Sequence, residues 1–440
     1  MLTRRPQGYT RSAHRPGASR PARLTRTPNL PVKPQHSIWS QPTFHAYLAS
    51  VGFSGVAIAM QQLLLSWILI GILELPADRV GIIQAAAGIP GLFLLLLGGA
   101  SADRQDPRAL LIRIYLFGPI LPLALTGMVA GGFLNVWTVL LWALGMGIVT
   151  SYSSPAQQAI LNRIAGNDVQ RAVTASTVAG YLVQVVGLAV AGQIDRAGLG
   201  TVLVVQAVCI GAGAFAVQRL PAGDPPGDDA VRESALRAIL AGLRAVYRQK
   251  VVFHTLLINF MSSIFNAGAF MTVVPFIIKR IYAGDAALLA TVMIAFYGSA
   301  SISNVLMLRV MPIARPGRVF LILQLSRLPI MGVLWLEPPF WVAVSVLMLW
   351  GLNMGITSTL SRTIVQESAA PEFRGRVMSV YSLGLLGSAP LGAIVLGFVI
   401  ESFGTLNALV PGMAVSIVLF MIGVSVTEVY RYTSPILRGH

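Results

Sequence analysis

PAGDPPGDDAVRESALRAILAGLRAVYRQK, residues 221–250, is the stretch that decides the fold. It makes up most of the longest internal polar segment, 219–250, and apolar sequence stands on both sides of it. Its opening, PAGDPPGDD, reads as a linker, because clustered Pro and Gly punctuate helices rather than extend them. The remainder places Leu236, Ile239, Leu240, Leu243 and Val246 on one helical face, with Arg237, Arg244 and Arg248 elsewhere. That pattern predicts an amphipathic helix lying along a membrane surface.

Outward from this divider the chain is a series of apolar rods. A helix crossing hydrocarbon needs ~20 mostly apolar residues. Such runs fall near 44–73, 79–101, 110–132, 136–161, 170–194 and 199–218 before it. They resume near 252–278, 287–309, 318–336, 339–361, 376–400 and 405–427 after it. Of the 440 residues, 55% are apolar and 11% charged, whereas a soluble domain carries roughly 25% charged residues. The expectation is an all-α membrane protein of twelve transmembrane helices in two six-helix bundles. A basic tail (1–40) precedes the first bundle (41–220), and the linker with its helix (221–250) leads to the second bundle (251–430) and a short tail (431–440). Gly and Pro inside the runs are tolerated, because neighbouring helices re-satisfy freed backbone groups. Pro90, Pro119, Pro122, Pro275, Pro329 and Pro390 mark kinks, and Gly187, Gly192, Gly351 and Gly355 allow close helix contact.

Basic residues set the orientation, since Lys and Arg collect on the cytoplasmic side. With the N-terminus inside, the inner segments beyond the tail hold nineteen Arg and Lys residues and the outer segments four: Arg79, Arg196, Lys279 and Arg280. Both termini are therefore expected to be cytoplasmic in a multi-pass protein of the plasma (inner) membrane. The net charge of +16 does not point to nucleic acid. Residues 1–37 contribute eight basic and no acidic residues among many prolines, the composition of a disordered arm that touches anionic lipid, and one that an Arg-rich, acid-poor organelle transit peptide also shares.

Other classes fall away on inventory. A single cysteine, Cys209, allows no intrachain disulfide or thiolate cluster, and the five histidines are scattered. No G-x-x-x-x-G-K-[ST] loop is present, which argues against direct use of ATP. GAGAF at 211–215 lacks the third glycine of a dinucleotide turn and reads as a packing face. No nucleophile, base and orienting group assemble into an enzyme, and no cofactor or metal is expected.

The halves show an internal echo. A shift of 204 residues sets ILNRIAGNDVQRAV (160–173) against IVQESAAPEFRGRV (364–377). In each, an apolar helix end leads through small residues to an acid, Asp168 or Glu372, and a new helix.

Four segments carry a resemblance to the major facilitator superfamily, closer to its enterobactin-exporter-like and macrolide-efflux-like branch. GGASADRQDPRALLI (98–112) resembles the signature loop between spans two and three, with Gly99, Asp103, Arg104 and Arg108 in register. It departs at Asp106 and Pro107, where Gly and a base are usual. SSPAQQAIL (153–161) follows the branch's pattern after span four, with Gln157 in place of an arginine. PEFRGRVMSVYSL (371–383) is the most specific match, and GSAPLGAIVLGFVIESFG (387–404) resembles the small-residue span eleven. The antiporter Gly-Pro signature is present only in part, since Leu188 follows Gly187.

The resemblance implies a cavity between the two bundles and rocking between inward-open and outward-open states, in keeping with repeat-built transporters generally. It implies a gate in which Gly99, Asp103, Arg104 and Arg108 meet the start of span eleven at Arg374 and Arg376. It implies that spans one, four, seven and ten line the cavity. Their polar residues are Gln61 and Gln62, Thr150 and Tyr152, Asn259, Ser263 and Asn266, and Asn353 and Thr357; each either faces the cavity or joins helices. Trp350 is an aromatic candidate for the same wall. Arg327, near the middle of span nine, costs at least ~2.5 kcal/mol in hydrocarbon unless protein or water receives it.

The expected partners are the lipid bilayer and a small amphipathic solute, handled by a monomer, with H+ carried as an optional coupling ion. A lipid or lysophospholipid translocase and a non-transporting receptor are the alternative functions.

Overall fold

The computed structural model describes residues 41–102, 106–165, 169–222 and 235–435. The basic tail, Asp103 and Arg104, and most of the linker lie outside the described residues. Several helices start where the sequence supplies a cap or a proline. Asp106 accepts from the Arg108 amide ahead of Pro107, and Asp285 accepts from the Leu288 amide ahead of Ala286, each satisfying a donor that the first helical turn leaves open.

In the first half, α1 (Pro42–Trp67) runs into a π segment, Ile68–Ile72. It is followed by α2 (Ala77–Ala102), α3 (Pro107–Phe117) and α4 (Ile120–Ala130), the last two forming one rod broken at Gly118–Pro119. Then come α5 (Val136–Ala165), α6 (Val169–Ala191), the short α7 (Ile194–Ala197) and α8 (Leu199–Gln218). The surface helix α9 (Ala235–Arg248) leads into α10 (Lys250–Gly268). That rod continues through π segments on either side of α11 (Val274–Phe276) as far as Ile281. The second half closes with α12 (Ala286–Val310), α13 (Pro316–Leu325) and α14 (Arg327–Trp335), α15 (Phe340–Ser368), α16 (Arg374–Phe403) and α17 (Val410–Ser425).

Ten helical stretches among the described residues are long and apolar enough to cross a membrane. Two further helices, α2 and α6, stand where the sequence places spans two and five. The break between α13 and α14 falls at Ser326, three residues ahead of Pro329, where the proline has no N–H for the preceding turn.

Packing repeats between the halves. In the first, α1 lies against α6 and α8, α2 against α5, and α3 and α4 against α8. In the second, α10 lies against α16 and α17, α12 against α15, and α13 and α14 against α17. Across the halves α2 packs along α16, and α6 along α12. The loops repeat too: positive-φ residues pair up as Glu74 with Ala283, Gly132 with Glu337, and Gly198 with Gly404, close to the 204-residue shift seen in the sequence. One apolar core runs through both halves.

The amphipathic helix differs from its predicted orientation. Val246 of the expected apolar face is buried, whereas Leu240 and Leu243 are exposed alongside Tyr247. The buried side is the one carrying Gly242 and Ala245, and a Cβ on Gly242 would stand 2.8 Å from the Arg376 carbonyl. Small residues let α9 sit on α16, which leaves the larger side chains facing outward.

Candidate functional site

Two faces can be distinguished by the chain ends. The terminal face carries residues 41 and 435 and the α9 linker helix; the far face carries the turns after α1, α4, α6, α10, α14 and α16.

On the far face, carboxylates of one half cap helices of the other. Asp195, just beyond α6, accepts from the Ala286 amide at 2.8 Å, the first residue of α12. Its other oxygen accepts from Trp67 Nε1 at 3.1 Å. Glu401, near the end of α16, accepts from the Ala77 amide at 3.1 Å, the first residue of α2, and lies 3.8 Å from Arg280. These two arrangements are related by the internal repeat. Each sets a negative charge at a helix N-terminus, where open N–H groups and the helix dipole favour it. Lys279 adds a bridge by standing 5.4 Å from the Trp67 ring centre.

Small residues close the seam between these caps. A Cβ on Gly81 would collide with the Ala393 carbonyl, and one on Gly397 would stand 2.6 Å from the Ala77 carbonyl. A Cβ on Gly192 would stand 2.5 Å from that of Ala290. Such backbone proximity is available only where side chains are absent.

Nearer mid-depth, amides and hydroxyls join the halves. Gln62 donates to the Tyr297 hydroxyl at 2.5 Å and accepts from Gln184 at 3.2 Å. Gln84 accepts from Thr272 at 2.8 Å. Asn304 donates to the Tyr181 hydroxyl at 2.8 Å and accepts from Thr359. Of these residues, the sequence alone singles out only Gln62. Gln84, Gln184, Tyr297 and Asn304 are polar residues inside apolar runs, the signal that would have marked them. Their grouping depends on contacts between distant helices.

The other sequence candidates are distributed differently. Gln61 accepts from Gln206 of α8 at 3.2 Å, inside the first half. Thr150 bonds back to the Met146 carbonyl of its own helix, and Tyr152 is half-buried. Asn259 approaches the Tyr381 hydroxyl, and Ser263 meets Ser388 at 2.6 Å. Trp350 is buried edge-on to Phe270 and Phe296. Asn266, Asn353 and Thr357 belong to a buried knot around Arg327. There Nε donates to Asn353 Oδ1 at 2.8 Å, and Nη1 donates to Ser262 and to Gln324 Oε1. Asn266 bonds Ser262, Thr357 bonds Asn353, and Asn353 also donates to Ser326 and the Leu323 carbonyl.

The terminal face is organised otherwise. Arg108 donates to the Gln218 carbonyl at 2.7 Å, and Arg163 donates to the Pro221 carbonyl and lies 3.5 Å from Asp106. Glu367 accepts from Tyr432 and Ser434, each at 3.1 Å. None of these bonds joins the two halves. Of the predicted gate, Gly99 lies in α2, Arg374 begins α16, and Arg376 stacks over Phe373; Asp103 and Arg104 are outside the described residues. A groove of about 750 Å³ also opens on this face, lined by Arg248, Glu367, Arg431 and Tyr432. It is lined by the end of the linker helix and by residues of the second half.

Comparison with known proteins completes the assignment. The profile of the family described as "Transmembrane secretion effector" matches residues 35–432. The chain belongs to that family, within the major facilitator superfamily. No curated protein sequence matches it. Among solved structures it is similar to a mutant form of the nucleoside transporter NupG, at 16% identity over 87% of this chain and 100% of that one, with a TM-score of 0.70. It is also similar to a bacterial homologue of the human lysosomal transporter Spinster in an inward-facing, unoccupied conformation (14%, 89% and 97%, TM-score 0.65). A D-xylose–proton symporter shows the same likeness (13%, 88% and 97%, TM-score 0.66). At these identities the likeness shows the fold alone. With the family match, it makes the chain a membrane transporter.

Proposed function

We propose that this transporter exports a small amphipathic molecule by alternating access. Its twelve spans form two six-helix halves in the plasma (inner) membrane, with both termini cytoplasmic. The observation that carries the reading is the asymmetry between faces. Among the described residues, the hydrogen bonds between the halves lie on the far face and at mid-depth, while the bonds of Arg108, Arg163 and Glu367 on the terminal face do not join the halves. Such a molecule is closed outside and parts at the cytoplasmic side, the inward-open end of a rocking cycle. Gln62, Gln84, Gln184 and Tyr297 then stand where a solute entering between the halves would meet them. Their neutral donors and acceptors, beside the Phe270–Phe296 stack at 3.8 Å, suit a solute with both apolar and hydrogen-bonding parts.

In the opposite state Gly99, Asp103, Arg104 and Arg108 close against Arg374 and Arg376, so Asp103→Ala leaves the protein folded and stops flux. The enterobactin-exporter-like and macrolide-efflux-like resemblance makes siderophores, antibiotics and related metabolites the first solutes to try, with protons as the coupling ion. The test is flux into vesicles carrying the purified protein under an imposed pH gradient, with a panel of siderophores, antibiotics and lysolipids. Saturable, gradient-dependent uptake of one amphipathic compound is expected. Flux of lysolipids alone contradicts the solute class, and tight binding with no flux of any compound contradicts transport.

A further inference from the structure

We propose that the second half binds a small anionic group, a halide or a carboxylate, at Arg327. Arg327 is 5% exposed, and the groups around it, Ser262, Gln324 and Asn353, are neutral. A guanidinium stays protonated, so the knot carries one positive charge that no acid in it balances. Asp195 and Glu401 belong to the far face and Glu367 to the terminal face.

Among the described residues, the hydrogen-bond inventory of the knot leaves donors open on Arg327 and Gln324, and one acceptor, Asn266 Oδ1. Nε and Nη1 are used on Asn353, Ser262 and Gln324, and Nη2 donates to no residue among those described. Gln324 is 1% exposed, and its Nε2 is a buried donor without a partner among the described residues. Its Oε1 already receives Ser262 and Arg327, so the amide cannot turn its nitrogen away without losing both bonds. Two donors on adjoining side chains, around a net positive charge, are what a halide or carboxylate oxygen requires. An unpaired buried donor is otherwise unfavourable.

The first half supplies the internal control. Where α10, α13–α14 and α15 meet around Arg327, the repeat equivalents are α1, α3–α4 and α5. There Gln157 donates to Ser54 at 3.0 Å and to the Tyr115 hydroxyl at 2.6 Å. A neutral amide knot therefore suffices to tie these three helices together. The guanidinium in the second half adds charge that joining helices does not need.

The proposal rests on packing within one half and stands apart from the transport reading, so its test measures binding and not flux. Purified protein in lipid nanodiscs is heated at constant ionic strength, with sodium chloride, bromide, formate or acetate replacing a bulky sulfonate salt. The expected result is a saturable rise in apparent Tm with small anions, absent in Arg327→Gln. Because that variant removes a buried side chain, Gln324→Glu is the companion: it keeps the arginine and supplies a carboxylate from the chain itself. It should fold and lose the anion response, with the apparent affinity for added anion weakened about tenfold or more. A response to halides as well as carboxylates assigns a free-ion site, and a response to carboxylates alone assigns a site for an acid group on an organic solute. A wild-type Tm indifferent to all four anions, or an equal response in wild type and Gln324→Glu, overturns the proposal.

Discussion

The far face and the terminal face are built from the same internal repeat, yet they hold their polar residues differently. On the far face Asp195 and Glu401 each reach from one half to the first amide of a helix in the other. On the terminal face the bonds of Arg108, Arg163 and Glu367 do not join the halves. The lesson is that a boundary can be closed by a few directional bonds over backbone-to-backbone contact. A rocking motion breaks those bonds together, and bonds inside a half survive it.

The largest expected effect comes from forcing the closed seam apart sterically. Gly81→Val places side-chain carbons against the Ala393 carbonyl, an overpacking strain of about 1–3 kcal/mol. In the full protein this should lower Tm and expose cysteines introduced on the far face to a water-soluble maleimide. Gly375→Ala, where an added Cβ meets nothing within 4 Å, should change neither. Equal effects at the two glycines would remove the distinction between the faces.

Next in size is the pair of caps. Loss of an N-cap costs about 1 kcal/mol, so Asp195→Ala with Glu401→Ala removes about 2 kcal/mol from the closed far face. That corresponds to a population shift of roughly thirtyfold. Either substitution alone should give a shift of about fivefold, measured as far-face labelling rate, because the two caps sit on separate helix pairs.

Smaller still is Tyr297→Phe, which deletes the hydroxyl that receives Gln62 and should cost about 1 kcal/mol. It sharpens the comparison by testing mid-depth, and it should change solute binding more than stability. Tyr181→Phe, which breaks only the bond to Asn304 nearest the terminal face, should be weaker than Tyr297→Phe in both readouts.

Much of this architecture is legible in the sequence. The rods follow from hydropathy, and the pauses at 132–136 and 336–339 are real turns between α4 and α5 and between α14 and α15. The echo between 160–173 and 364–377 anticipates a repeat that the paired positive-φ turns make plain. The pairing across the seam is not legible. Nothing in the sequence marks Asp195 and Glu401 as a pair, because their partners are backbone amides, which carry no side-chain signature. The split orientation of α9 escapes for a similar reason: Gly242 and Ala245 contribute little to an apolar stripe but fix which side can approach α16. Asn266, Asn353 and Thr357 look alike on helical spacing, and only packing shows that they converge on Arg327.

The most direct test compares two distances in one protein. Spin labels on a Cys209→Ala background, at Phe133 and Leu336 on the far face and at Gln218 and Leu308 on the terminal face, are read by pulsed electron resonance in lipid. Phe133, Leu336 and Leu308 are all exposed, as is Gln218. Introducing Asp195→Ala with Glu401→Ala should lengthen the far-face distance and shorten the terminal-face distance. Two distances that stay fixed, or that lengthen together, would contradict a molecule that rocks about a seam closed on one side.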